Sequence, residues 1–135
     1  MKKPPVVATL QWQGDLRFSA RTPRASITLD SDSADGPSPP EALAIALAGC
    51  MAIDVTDVVL KGRHELRGLE AGIVGERVET PPHRFHRFTL RFTVTGGVPP
   101  AAVERGIGLS REKYCSVWHS LRPDIDLLIS FEVLP

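Results

Sequence analysis

The sequence predicts a mixed α+β domain with the element order βββ-α-ββ-αα-β, organised around one long buried helix. Three observations carry this. From Ala42 to Ile53 there are twelve residues without a charge, preceded by helix-start chemistry and followed at once by Asp54 and Asp57. Apolar residues alternate with polar ones around Leu16–Arg21, Arg87–Val94 and Leu127–Val133, the two-residue period of half-buried strands. Gly and Pro pairs punctuate the chain between these stretches, at Pro81-Pro82, Gly96-Gly97 and Pro99-Pro100.

In chain order, Val6 to Trp12 reads as a short strand, and Gly14-Asp15 makes a turn. Leu16, Phe18 and Ala20 face one way, Arg17, Ser19 and Arg21 the other, until Pro23 breaks the strand. Ser26 to Leu29 resumes as a third strand, and the polar segment Asp30 to Pro37 leads into the helix. There Ser38 caps, Pro39 suits the first helical position and Glu41 completes an S-x-x-E capping box. A helix apolar on every side must be surrounded by protein, and the 42–53 run is too short to cross a bilayer. The helix should end near Gly62. Leu66 to Val78 is a strand that Gly72 and Gly75 should bend or bulge. Phe88, Leu90, Phe92 and Val94 mark the clearest strand. A second helix runs from Pro99-Pro100 to about Lys113, a short one follows through Leu121, and Leu127 to Val133 closes the chain.

At 135 residues the chain is expected to form one domain, 1–135, with a core of its own. Lys plus Arg equal Asp plus Glu at 16 each, so no global charge recruits nucleic acid or anionic lipid. Two cysteines are too few for a disulfide framework and suit a reducing compartment. The start, MKKPPVVATL, has too short an apolar run for a signal peptide, which leaves a cytoplasmic protein as the expectation.

Cys50 and Cys115 are the first candidates for chemistry. Cys50 lies in the middle of the apolar helix and Cys115 near the break after the second helix. A buried cysteine can simply pack as a small hydrophobe. A reactive one needs a nearby cation or a helix N-terminus to hold its thiolate. Cys50 has neither in its own stretch, and Asp54 at i+4 works against it, so a distant cation is required: Arg17, Arg21 or Arg24. Cys115 has Arg111 and Lys113 close by and His119 at i+4. His83 and His86 add metal-ligand candidates, but no zinc spacing is present. Nine residues of helix put Glu41 roughly 13 Å from Cys50 and on about the opposite face, so a second chain would most simply supply any such carboxylate.

Three stretches give the chain a resemblance to the OsmC/Ohr family, the osmotically inducible protein C and organic hydroperoxide resistance proteins. They are W-x-G-D-L-R at Trp12 to Arg17, G-P-S-P-P-E-A-L-A-x-A-L-A-G-C ending at Cys50, and E-K-Y-C-S-V at Glu112 to Val117. Glu41 stands nine rather than ten residues before the cysteine, which resembles the smaller OsmC-like branch. The resemblance implies an OsmC-like fold, an intertwined homodimer with its sites at the interface, and a thiol peroxidase for organic hydroperoxides. Carried over, Cys50 is the peroxidatic cysteine, Cys115 the resolving one, Glu41 the helix-start glutamate, and Arg17 the activating arginine, with Arg21 an alternative. An external dithiol of lipoyl type would reduce the enzyme, with no metal or organic cofactor. Leu47, Ile53 and Trp118 are the expected apolar lining. A non-catalytic protein of the same fold, binding a small apolar ligand, is the rival expectation. A metal module built on Cys50, Cys115 and His119 is a third.

Overall fold

The computed structural model describes residues 2–135. The chain forms two compact units, the first running to Leu43 and the second from Ala44 to Pro135. The element order is the predicted one throughout.

The first unit is an antiparallel meander of β1 (Thr9–Trp12), β2 (Arg17–Arg21) and β3 (Ser26–Asp30). Its register aligns Leu10, Ala20 and Ile27 in one row and Trp12, Phe18 and Leu29 in the next, so the alternating apolar residues share one face. Gly14 (φ 100°) and Asp15 (φ 48°) make the predicted turn, closed by the Trp12 indole N–H donating to the Asp15 carbonyl at 2.9 Å. A buried carboxylate gathers the loop after β3. Asp30 is 3% exposed and accepts the backbone N–H groups of Asp32 at 3.0 Å and Asp35 at 3.1 Å. Those two N–H groups hold its pKa below the usual carboxylate value.

Helix α1 (Pro39–Lys61) begins in the first unit and ends in the second. Its 23 residues exceed the apolar run and have the length and composition to cross a membrane. Leu47, Met51, Val55 and Val59, at four-residue spacing, are instead completely buried in the protein core. It is a core helix.

The second unit carries β4 (Glu65–Arg77), β5 (Phe85–Gly97) and β6 (Asp126–Leu134), in the order β4-β5-β6. Strand β5 is central, antiparallel to β4 and parallel to β6. Its alternating Phe88, Leu90, Phe92 and Val94 are all fully buried and share a core with the α1 stripe, Val103 and Leu127. Parallel neighbours need a crossover, and α2 (Pro100–Leu109), a π-helical turn (Ser110–Tyr114) and α3 (Ser116–His119) provide it. The expected second helix to Lys113 is therefore α-helical only to Leu109. Gly106 lets α2 lie close on α1: a Cβ there would stand 3.1 Å from Val55 Cα.

The expected bulges at Gly72 and Gly75 are not where β4 departs from regular pairing. Gly72 pairs regularly with Arg91, and the register shifts fall between Leu66 and Gly68 and between Glu76 and Arg77. Gly75 has a packing reason: a Cβ there would come within 2.6 Å of the Phe85 ring, which stacks 4.7 Å from Phe88.

Because the core lies on one side of this sheet, truncation should be felt on that side only. Phe92→Ala is expected to cost roughly 3–5 kcal/mol. Leu128→Ala, on the other side of β6 and 52% exposed, should stay within about 0.5 kcal/mol. Urea denaturation of the two variants measures both.

Candidate functional site

Helix α1 presents Cys50 half-buried beside the core, one position before the sealed Met51. Cys115 is completely buried and sits where the π-helical turn gives way to α3. Its backbone N–H reaches five residues back to the Ser110 carbonyl at 2.8 Å, the bond that defines the π turn. Its Sγ then accepts the Trp118 N–H at 3.3 Å, so the cysteine itself caps α3. The Cys50 sulfur stands beside it, close enough to interact with the thiol. The structure thus brings together two cysteines separated by 65 residues of sequence, and both are free thiols.

Burial is the main reason the Cys115 thiol is pushed up to about 11. The Trp118 N–H pulls it the other way, while the neighbouring Cys50 and the Asp54 carboxylate push it further up. The helix N-terminus expected near Cys115 is present, but it is a four-residue helix and does not outweigh burial. Arg111 and Lys113 do not act on this sulfur: both are exposed, and the Lys113 ammonium lies over the Tyr114 ring at 5.5 Å. Asp54 turns to Ser110, whose buried hydroxyl donates to Oδ2 at 2.6 Å. Sequence reasoning noticed Asp54 only as a neighbour of Cys50 and missed Ser110 altogether. The pair thus consists of one half-buried thiol, Cys50, and one sealed thiol, Cys115.

Arg17 and Glu41 lie in the first unit. Arg17, at the start of β2, donates to Asp35 at 2.8 Å and stands 3.8 Å from Asp15. Arg21 and Arg24 are exposed and form no ion pair among the described residues. Glu41 makes the predicted capping box, accepting the Ser38 N–H at 2.9 Å while its own N–H donates to Ser38 Oγ at 3.3 Å. The Ser33 hydroxyl also donates to the same carboxylate, and chiefly through this bond the Glu41 pKa lies below its usual value.

Of the expected lining, Leu47 is sealed in the core, Trp118 packs against it half-buried, and Ile53 is 70% exposed. His119 directs Nε2 to the Arg111 carbonyl at 3.0 Å, and His83 directs Nδ1 to the Val78 carbonyl at 3.1 Å. Among the described residues no three His, Cys, Asp or Glu side chains converge as a metal ion would require.

Known proteins of similar sequence and fold bear on this arrangement. The family described as OsmC-like protein matches residues 31–130. Protein YhfA of Escherichia coli K12 is 38% identical over 130 residues, covering 94% of this chain and 97% of that protein. A hypothetical protein from Aquifex aeolicus VF5 has a crystal structure that superposes with a TM-score of 0.89 at 28% identity, covering 97% of each chain. An organic hydroperoxide resistance protein OsmC from Legionella pneumophila shares the fold, with a TM-score of 0.70 at 16% identity over 98% of this chain and 100% of that one.

The raised Cys115 thiol makes stability depend on pH. Cys115 should resist ionisation between its ordinary value of 9.0 and about 11, whereas the unfolded chain ionises there. The unfolded state then binds fewer protons, so stability falls as pH rises through that window. The Cys115→Ser variant should lose less stability than the wild type between pH 9 and 11, measured by urea midpoints. In the same window, peptide mapping after iodoacetamide treatment should show Cys115 alkylated only slowly.

Proposed function

The chain belongs to the OsmC-like protein family, and on that premise we propose that it is a thiol peroxidase acting on organic hydroperoxides. One observation carries the reading: an accessible thiol, Cys50, and a sealed thiol, Cys115, meet in one core with no disulfide between them. The Cys50 thiolate attacks one peroxide oxygen, the O–O bond breaks, and the alkoxide leaves as an alcohol. The resulting sulfenic acid condenses with the Cys115 thiol to a disulfide and water, and an external dithiol of lipoyl type restores both thiols. Arg17 is assigned the cation that holds the Cys50 thiolate, and Glu41 the carboxylate that orients that cation. Both assignments rest on the family motif positions these residues occupy. In this reading residues 1–135 work as one cytoplasmic domain, where free thiols persist.

The same reading includes a homodimer. The single chain leaves Ile45, Ile53 and Leu60 of α1 exposed, and a Cβ at Gly49 would meet nothing within 4 Å. On the β1–β3 sheet, Leu10, Trp12, Phe18 and Ile27 also lie open on one face. A second copy covers such surfaces most simply, and obligate interfaces of this kind resemble a core cut in half.

Stopped-flow turnover with dihydrolipoamide should show cumene hydroperoxide consumed faster than hydrogen peroxide. Cys50→Ser should abolish it, and Cys115→Ser should stop at a sulfenic acid trapped by dimedone. Thiols left unchanged by the hydroperoxide would overturn the peroxidase and favour a packing role in a ligand-binding protein. Arg17→Ala should slow the first oxidation by roughly tenfold or more; an unaltered rate moves the assignment to Arg21. The melting temperature should rise with protein concentration, as it does when folding and dimerisation are linked, and a folded monomer at micromolar concentration would refute the dimer.

A further inference from the structure

We infer that Asp54 and Ser110 form a latch that positions Cys115 against Cys50, and that the Asp54 carboxylate relays the proton released when the two sulfurs join. The second half of this rests on the peroxidase reading; the first does not.

Asp54 follows Cys50 by four residues on α1, so both project from one side of the helix, a turn apart. Its Oδ2 accepts the hydroxyl of Ser110 at 2.6 Å, and Ser110 is completely buried. The carbonyl of that same serine accepts the Cys115 N–H at 2.8 Å. A single residue therefore ties the helix that carries one cysteine to the backbone of the other. The π turn gives this tie its geometry. A regular α-helical turn would bond residue 114 to Ser110; the extra residue rotates the next segment by about 100°. It delivers the Cys115 sulfur to the start of α3, where Trp118 N–H meets it. A charge-assisted bond to a buried hydroxyl is short and directional, which suits a part that fixes register.

The chemistry of resolution supplies the rest. When the Cys50 sulfenic acid meets the Cys115 thiol, an S–S bond forms, the S–O bond breaks, and the thiol proton leaves with the hydroxyl as water. Cys115 is sealed from solvent, so a group inside the core rather than bulk base would carry that proton to the leaving hydroxyl. The Asp54 carboxylate lies one helical turn from Cys50 and is bonded to Ser110, whose carbonyl holds the Cys115 N–H, and its charge reaches the thiol. Ser110 holds Oδ2 and so fixes the carboxylate in place. At rest burial, more than this charge, keeps Cys115 a thiol, so the first encounter with oxidant falls to Cys50.

Two variants of the full chain separate the two halves, with folding checked by circular dichroism. Ser110→Ala removes the bond and keeps the charge; Asp54→Asn keeps the shape and removes the charge. In glutathione buffers, where the disulfide forms without any peroxide, Ser110→Ala should lower the Cys50–Cys115 disulfide equilibrium by roughly tenfold or more. After one equivalent of cumene hydroperoxide, Asp54→Asn should raise the ratio of dimedone-trapped sulfenic acid to disulfide. Its resolution rate should also climb with pH more steeply than wild type, because solvent base must replace the carboxylate. A wild-type glutathione equilibrium in folded Ser110→Ala overturns the latch. A wild-type resolution profile in Asp54→Asn overturns the relay. If the wild-type protein forms no sulfenic acid, the peroxidase reading and the relay fall together, and the glutathione equilibrium still decides the latch.

Discussion

The contact between the α1 stripe and the inner face of β5 is the constraint on which the second unit depends. Leu47, Met51, Val55 and Val59 share one buried core with Phe88, Leu90, Phe92 and Val94, and all eight are completely buried. A four-residue helical period here faces a two-residue strand period, so each element can be oriented in only one way. That orientation fixes where Cys50 lies. It stands immediately before Met51, turned part-way from the stripe, and so keeps contact with the core without being sealed inside it.

The second cysteine is placed by a longer chain of consequences. Gly106 allows α2 to approach Val55 and Val58, so α2 is seated on the same helix that bears Cys50. The π turn then spends one extra residue before α3, and Cys115 arrives buried at the junction. Such bulges weaken regular helix hydrogen bonding and recur where a side chain must be re-aimed. The two thiols differ because their elements differ. One lies on the flank of a long helix, and the other is enclosed at a helix break.

Much of this was legible in the sequence. The alternation from Phe88 to Val94 marks β5 without ambiguity, and S-x-x-E at Ser38–Glu41 marks the helix start, because both patterns are local. The element order follows from punctuation and turn residues. The parts that were not legible are non-local. A two-residue period is the same for parallel and antiparallel neighbours, so the parallel pairing of β5 with β6 could not be read from it. Gly75 reads as a bulge because a glycine in a strand has several causes, and here the cause is a phenyl ring contributed by Phe85. Asp30 and Ser110 carry no motif; each matters because burial turned an ordinary polar side chain into an anchor. The nearness of Cys50 and Cys115 belongs to the same category. Spacing is silent about it, and only the family resemblance points to it.

The crossover from β5 to β6 has a consequence for the life of the chain before it is folded. Cys115 lies on that crossover, and its neighbour across the core is 65 residues earlier. In a disordered chain those sulfurs seldom meet, since closing a loop of that length carries an entropic penalty of about 4 kcal/mol. Native packing removes that penalty in advance. A newly made or damaged copy would then be a poor substrate for oxidation at this pair, and a mature copy a good one. By the same cycle, closing the pair would strengthen the folded state against thermal unfolding. Under the proposed cycle, oxidation would make the protein temporarily more durable, with reduction returning it to its more yielding form.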